Sequence, residues 1–130
     1  PDGHLVLRGG HQGSNYHLEA VQAAAAELSK AGLKDRLMVD CSHANSNKDF
    51  RRQADVLATV ADQLKAGSSH VMGVMIESHL VEGNQKLTAD LSQLTYGQSI
   101  TDACISLDTT DALLSQLAGA VANRISVVTA

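Results

Sequence analysis

The stretch His70-Val-Met-Gly-Val-Met-Ile-Glu77 (HVMGVMIE) is apolar along almost its whole length and ends abruptly on a carboxylate. A run this short lacks the polar-apolar alternation of a strand with one wet face. It reads as a strand covered on both sides, the signature of a parallel sheet. Its neighbours agree. Before it, Asp49 to Ala66 has a helical period, with Phe50, Ala54, Leu57, Val60, Ala61 and Leu64 on one stripe and Gly67 as the stop.

Working outward, Arg36 to Cys41 (RLMVDC) is a second strand, followed by a polar loop from Ser42 to Asn47. Leu18 to Ala31 is an Ala-rich helix with acid early and Lys30 late, closed by Gly32. His4 to Arg8 (HLVLR) is a strand that runs into Gly9-Gly10. Beyond Glu77, Ser78 to Gly97 has no clear period and is expected to be a long loop. Ser99 to Ile105 (SITDACI) is a weaker fourth strand, and Thr109 to Ala122 a last helix capped by Asp108. Strands separated by helices pair in parallel through right-handed crossovers. Four such units fit either an open three-layer sheet or half of an eight-stranded barrel.

Composition narrows the function. The 130 residues carry a formal charge of −4 and only three aromatics, Tyr16, Phe50 and Tyr96. No basic stripe is interleaved with rings, so nucleic acid is not an expected partner. Arg51-Arg52 reads as a solvated helix face. No apolar run is long enough for a bilayer, so no membrane is expected. Cys41 and Cys104 sit singly in apolar stretches, as buried free thiols of a cytoplasmic protein do. The chain enters a strand almost at once after Pro1-Asp2-Gly3, which suggests an excerpt of a longer protein.

Arg8, His43, Glu77 and Asp102 each stand at or just past the end of a different strand, and in a parallel fold those ends share one side. Counting back by twos gives Val6; Cys41, Val39 and Leu37; Met75, Gly73 and Val71; and Ile100, all small or apolar, as on the inside of a barrel. That parity sends Asp40 the other way, toward a helix, with no partner evident. One imidazole and two carboxylates suit Mn, Fe, Co or Zn as a divalent ion. Arg8 beside two glycines suits a phosphate. Taken singly, a His after a strand is commonly a loop residue and an Arg before Gly-Gly commonly a turn. The two acids are harder to explain away, because a buried carboxylate needs a partner. His79 is read as a loop residue behind Glu77, and His4, His11, His17 and His70 as surface or structural.

Four segments in order, LRGG (Leu7 to Gly10) with Asn15-Tyr16, DCSHANSNK (Asp40 to Lys48), GVMIESHLVEGNQ (Gly73 to Gln85) and YGQSITDAC (Tyr96 to Cys104), resemble type I 3-deoxy-D-arabino-heptulosonate 7-phosphate (DAHP) synthase. The likeness covers essentially the whole chain. It implies strands five to eight of a TIM (β/α)8 barrel, residues 1–130 forming one C-terminal half-barrel whose N-terminal half is absent. It also implies a transferase of aromatic amino acid biosynthesis. Phosphoenolpyruvate condenses with erythrose 4-phosphate to give DAHP and phosphate, the first step of the shikimate pathway. The resemblance makes His43, Glu77 and Asp102 three of four ligands of one divalent metal, and Arg8 a contact to the phosphate of phosphoenolpyruvate. It further implies a homo-oligomer for the full-length enzyme.

The family's metal Cys and its Lys-Pro-Arg-Thr motif lie on earlier strands, and neither Cys41 nor Cys104 matches that Cys. Gln98 stands where many relatives carry Lys, and His11 with Gly13 alters the loop after Gly10. The fragment alone is therefore expected to be inactive. The alternative is a free-standing α/β phosphate- or metal-binding module without catalysis.

Overall fold

The computed structural model describes residues 3–128, with side chains through Arg124. Strands β1 (Leu5–Leu7), β2 (Leu37–Asp40) and β3 (Val71–Met75) form a parallel sheet in sequential order. Helices α1 (Leu18–Lys30) and α2 (Gln53–Lys65) make the two crossovers. Both helices stop where expected, through six-to-one bonds: Leu33 N–H donates to the Leu28 carbonyl and Ser68 N–H to that of Gln63, each at 3.0 Å. Before α2, Phe50–Arg52 forms one 3-10 turn, because the Asp49 carboxylate accepts from the Arg51 N–H at 3.1 Å. Arg51 is exposed, as expected, lying over the Phe50 ring and 3.6 Å from Glu82.

The registers assign the faces. Leu5, Val6 and Leu7 pair with Leu37, Met38 and Val39, and Met38, Val39 and Asp40 pair with Gly73, Val74 and Met75. Leu7, Leu37, Val39 and Cys41 are buried in one core with Val21 of α1 and Val56, Leu57, Val60 and Leu64 of α2. The opposite face carries Val6, 40% exposed, with Met38 and Gly73 beside it. The parity reading is right for Arg8 with Val6 and for Glu77 with Met75 and Gly73. It is reversed on β2, where Leu37, Val39 and Cys41 face the helices and Asp40 points to the site. The error lay in counting back from His43 as though the strand reached it. The strand ends at Asp40, and a turn intervenes. Val71 also departs, because the β2–β3 register shifts between Leu37 and Met38.

The C-terminal third differs most from expectation. The stretch after Glu77 is built, not open: β4 (Ser78–His79) pairs with β7 (Ile105–Ser106), and β5 (Val81–Asn84) with β6 (Gln98–Ser99), all in parallel. Side-chain amides knit it. Gln85 donates to the Thr95 and Gln98 carbonyls and accepts from Thr95 N–H, while Gln98 donates to Glu82 O. Such bonds leave no hydrophobic period to read. The single strand expected at Ser99 to Ile105 is broken, because Ser99 Oγ accepts from the Thr101 N–H at 3.1 Å and bends the chain into a turn. Helix α3 (Leu107–Val128) begins two residues before the expected start and runs six further. Its cap is Ser106, whose Oγ accepts from Thr109 N–H at 3.2 Å, with Asp108 inside the first turn.

Candidate metal centre

The site is built on the turn after β2. Asn45, buried among the strand ends, donates to the carbonyls of Leu7 (3.1 Å) and Asp40 (2.8 Å) and accepts from the Asn15 N–H (2.8 Å). Asn15 in turn accepts from the Gly9 N–H at 2.7 Å. One amide pair thus holds the end of β1, its following loop and the end of β2 together. Within the turn His43 has a φ of 52°, a left-handed conformation that costs a non-glycine residue about 1 kcal/mol or more. Asn47 and Lys48 share that region, and the Lys48 N–H closes the loop onto the His43 carbonyl at 2.8 Å. This backbone brings the imidazole back over the strand end.

Glu77 arrives from the end of β3 and is fixed at both main chain and side chain. Gln53, fully buried at the start of α2, accepts from the Glu77 N–H (2.8 Å) and donates to its carbonyl (3.0 Å). The Ser42 hydroxyl donates to Glu77 Oε2 at 2.6 Å. His43 Nε2 then stands 3.7 Å from Glu77 Oε1. Asp102 comes from the turn between β6 and β7, not from the end of an apolar strand, and it is exposed. The burial argued for it from sequence is absent because that strand is broken.

Even so, single donor atoms of His43, Glu77 and Asp102 lie within 4.8 Å of one another. Donors about 2.1 Å from a shared ion stand up to about 4 Å apart, so small side-chain shifts would close this set around a cation. The three border a cleft of about 460 Å³, and Arg8, Gly9 and Lys48 line it with them. His11, exposed as expected, also lines this cleft.

Residues 1–115 match the DAHP synthetase I family. The chain belongs to that family. Over 123 residues it is 52% identical to the Phe-sensitive phospho-2-dehydro-3-deoxyheptonate aldolase of Escherichia coli K12, covering 95% of this chain and 35% of that protein. The Tyr-sensitive aldolase of the same organism is 50% identical over 117 residues, covering 90% and 33%. The solved structure of the Francisella tularensis SCHU S4 phospho-2-dehydro-3-deoxyheptonate aldolase superposes with a TM-score of 0.90 at 46% identity, over 95% of this chain and 35% of that one. The chain thus spans about a third of the length of these relatives.

In this DAHP synthetase I chain Cys41 stands apart from the donor set, whereas Cys104 lies beside it, its Sγ 3.5 Å from the Asp102 carbonyl. Cys41 faces the helices, and burial, helped by the nearby Asp40 charge, pushes its thiol up to about 12. Burial and the Glu77 charge raise Cys104 as well. Both shifts favour the protonated thiol near neutrality. Among the other histidines, His70 bonds to Asp35, His17 stacks on Tyr16, and His79 accepts from the Leu80 N–H.

Sequence reasoning missed the supports: Asn45, Ser42, Gln53 and the true direction of Asp40. Gln53 carried a signal, since it sits four residues before Leu57 on the buried stripe of α2, where a polar residue needs a reason.

Gly9 is a second constraint. Its φ is +73°, and a Cβ there would lie 2.8 Å from Ala44 Cβ and 2.9 Å from the Asn45 nitrogen. Gly9→Ala is expected to destabilise the full-length protein by about 2–5 kcal/mol through strain and overlap with backbone. Chemical denaturation checks this, and an unchanged midpoint would show that the approach of β1 to the His43 turn is loose. Among the described residues, no helix is long and apolar enough to cross a membrane.

Proposed function

We propose that this chain is the second half, strands five to eight, of a (β/α)8-barrel DAHP synthase domain, and that His43, Glu77 and Asp102 hold the enzyme's divalent metal. The enzyme joins phosphoenolpyruvate to erythrose 4-phosphate, giving DAHP and phosphate. The observation that carries this reading is the meeting of an imidazole and two carboxylates from three separate segments within 4.8 Å, in a cleft shared with Arg8. Family membership supports the chemistry. The face of the sheet opposite the helices, with Val6 among its exposed residues, is where the remaining barrel strands would close.

A bound Mn, Fe, Co or Zn ion supplies Lewis acidity toward the aldehyde oxygen of erythrose 4-phosphate. The chain's own residues supply placement and charge. Arg8 enters the cleft from the end of β1, its side chain 59% exposed, with Nε 4.0 Å from Asp40 Oδ2. Its free fork can pair with phosphate oxygens, while Gly9 and Gly10 leave the anion room to approach. Ser42 and Gln53 hold Glu77 in one orientation, so little rearrangement accompanies binding. The enol carbon of phosphoenolpyruvate forms the new bond to the aldehyde carbon, whose oxygen takes up a proton. Water adds at the former enol-ether carbon, and phosphate leaves by C–O cleavage.

In the full-length enzyme, Arg8→Ala is expected to raise the KM for phosphoenolpyruvate about 10- to 100-fold with metal content retained, since a charge-assisted hydrogen-bonding pair contributes roughly 1.5–3 kcal/mol. Steady-state kinetics with metal analysis tests it. An unchanged KM would remove Arg8 from the phosphate site.

A further inference from the structure

Asp40 is a carboxylate with only 5% of its side chain exposed, in contact with His43, and no role in the chemistry above uses it. Its two oxygens are divided between two tasks. Oδ1 accepts the Ser42 N–H at 2.8 Å, which pins the carboxylate plane to the turn. Oδ2 stands 2.8 Å from His43 Nδ1 and 4.0 Å from Arg8 Nε. The other ring nitrogen, Nε2, is the one directed at Glu77.

A carboxylate accepts but does not donate, so a neutral imidazole in this contact carries its proton on Nδ1 and its lone pair on Nε2. His43 makes this contact three residues after Asp40, from a left-handed backbone.

We propose that Asp40 is a positioning residue: it fixes the tautomer and ring angle of His43 so that Nε2 presents a bare lone pair to the cation. This rests on the metal reading of the His43, Glu77 and Asp102 cluster. Asp40→Asn keeps the shape and the Ser42 bond but places an NH2 group where Oδ2 stood. That group donates to Nδ1, drives the ring proton to Nε2 and removes the lone pair from the cation's side.

The test uses the metal-free full-length enzyme titrated with Co2+, followed by visible absorption. Asp40→Asn is expected to weaken Co2+ binding about 10- to 100-fold and to alter the ligand-field spectrum, with His43→Ala measured in parallel. Wild-type affinity and spectrum in Asp40→Asn beside weakened binding in His43→Ala overturn the role of Asp40 alone. Unchanged binding in His43→Ala overturns the metal reading itself. Should Asp40→Asn fail to fold, nitrogen-15 imidazole spectra of the unsubstituted enzyme decide. A proton on Nδ1 of His43 supports the proposal, and one on Nε2 overturns it.

Discussion

His43→Ala in the full-length enzyme is expected to lose bound metal and product formation together, each by on the order of 100-fold or more, and Glu77→Ala to do the same. The reason is the geometry of the donor set. In the proposed site, three atoms within 4.8 Å would act as a chelate only while all are present. Weakening even the hydrogen-bonded support of a metal ligand commonly costs 10- to 100-fold in affinity, and removing the ligand itself should cost more. Both residues are also partners of neighbours. Without His43, the buried Asp40 loses its 2.8 Å contact; without Glu77, the Ser42 hydroxyl loses its acceptor. A folding loss must therefore be separated from a metal loss. Metal content per folded protein and circular dichroism make that separation. Full metal with full activity in His43→Ala would remove it from the ligand set.

The isolated 130-residue chain is expected to give no measurable turnover, and mixing it with the complementary part of the barrel to restore some. Two observations lead here. The chain spans about a third of its relatives, so most of the enzyme's surface lies outside it. Within it, the described residues bring the three proposed metal donors together with Arg8 and Lys48, few positive groups for the two phosphorylated substrates proposed above. Among the described strands, β1 and β3 each have one ladder partner, β2, leaving two edges open. Open edges and an exposed apolar face favour self-association, so light scattering of the isolated chain should show large species unless the complement is present. Turnover by the chain alone at rates like those of the full-length enzyme would defeat the half-barrel reading. A sharp monomeric thermal transition raised by phosphate or Mn2+ would favour the free-standing binding module instead.

Much of this architecture was legible in the residues. The apolar runs at His4 to Arg8, Arg36 to Cys41 and His70 to Glu77 each contain a strand of the parallel sheet, and Gly32 and Gly67 end the helices between them. The convergence of His43, Glu77 and Asp102 was also foreseen, because parallel strands deliver their ends to one side. Two of the supporting steps were nonetheless wrong. Asp102 was placed on a strand and lies in a turn, and His43 was assigned a strand's parity although the strand had ended at Asp40.

What the sequence by itself determined is which segments are buried and in what order they follow, since hydrophobic period and helix stops are local properties of the chain. What only the tertiary structure decided is the direction of individual polar groups around the cleft. The imidazole of His43 comes back from a left-handed turn onto the Asp40 carboxylate, which the Ser42 N–H holds. Glu77 is held by an amide 24 residues away, and β5 pairs with β6 in a parallel ladder that the Gln98 side chain crosses. Those outcomes depend on turn geometry and on hydrogen bonds, some between groups remote in sequence, whose strength turns on a few tenths of an ångström and on angle, and no periodicity along the chain encodes them.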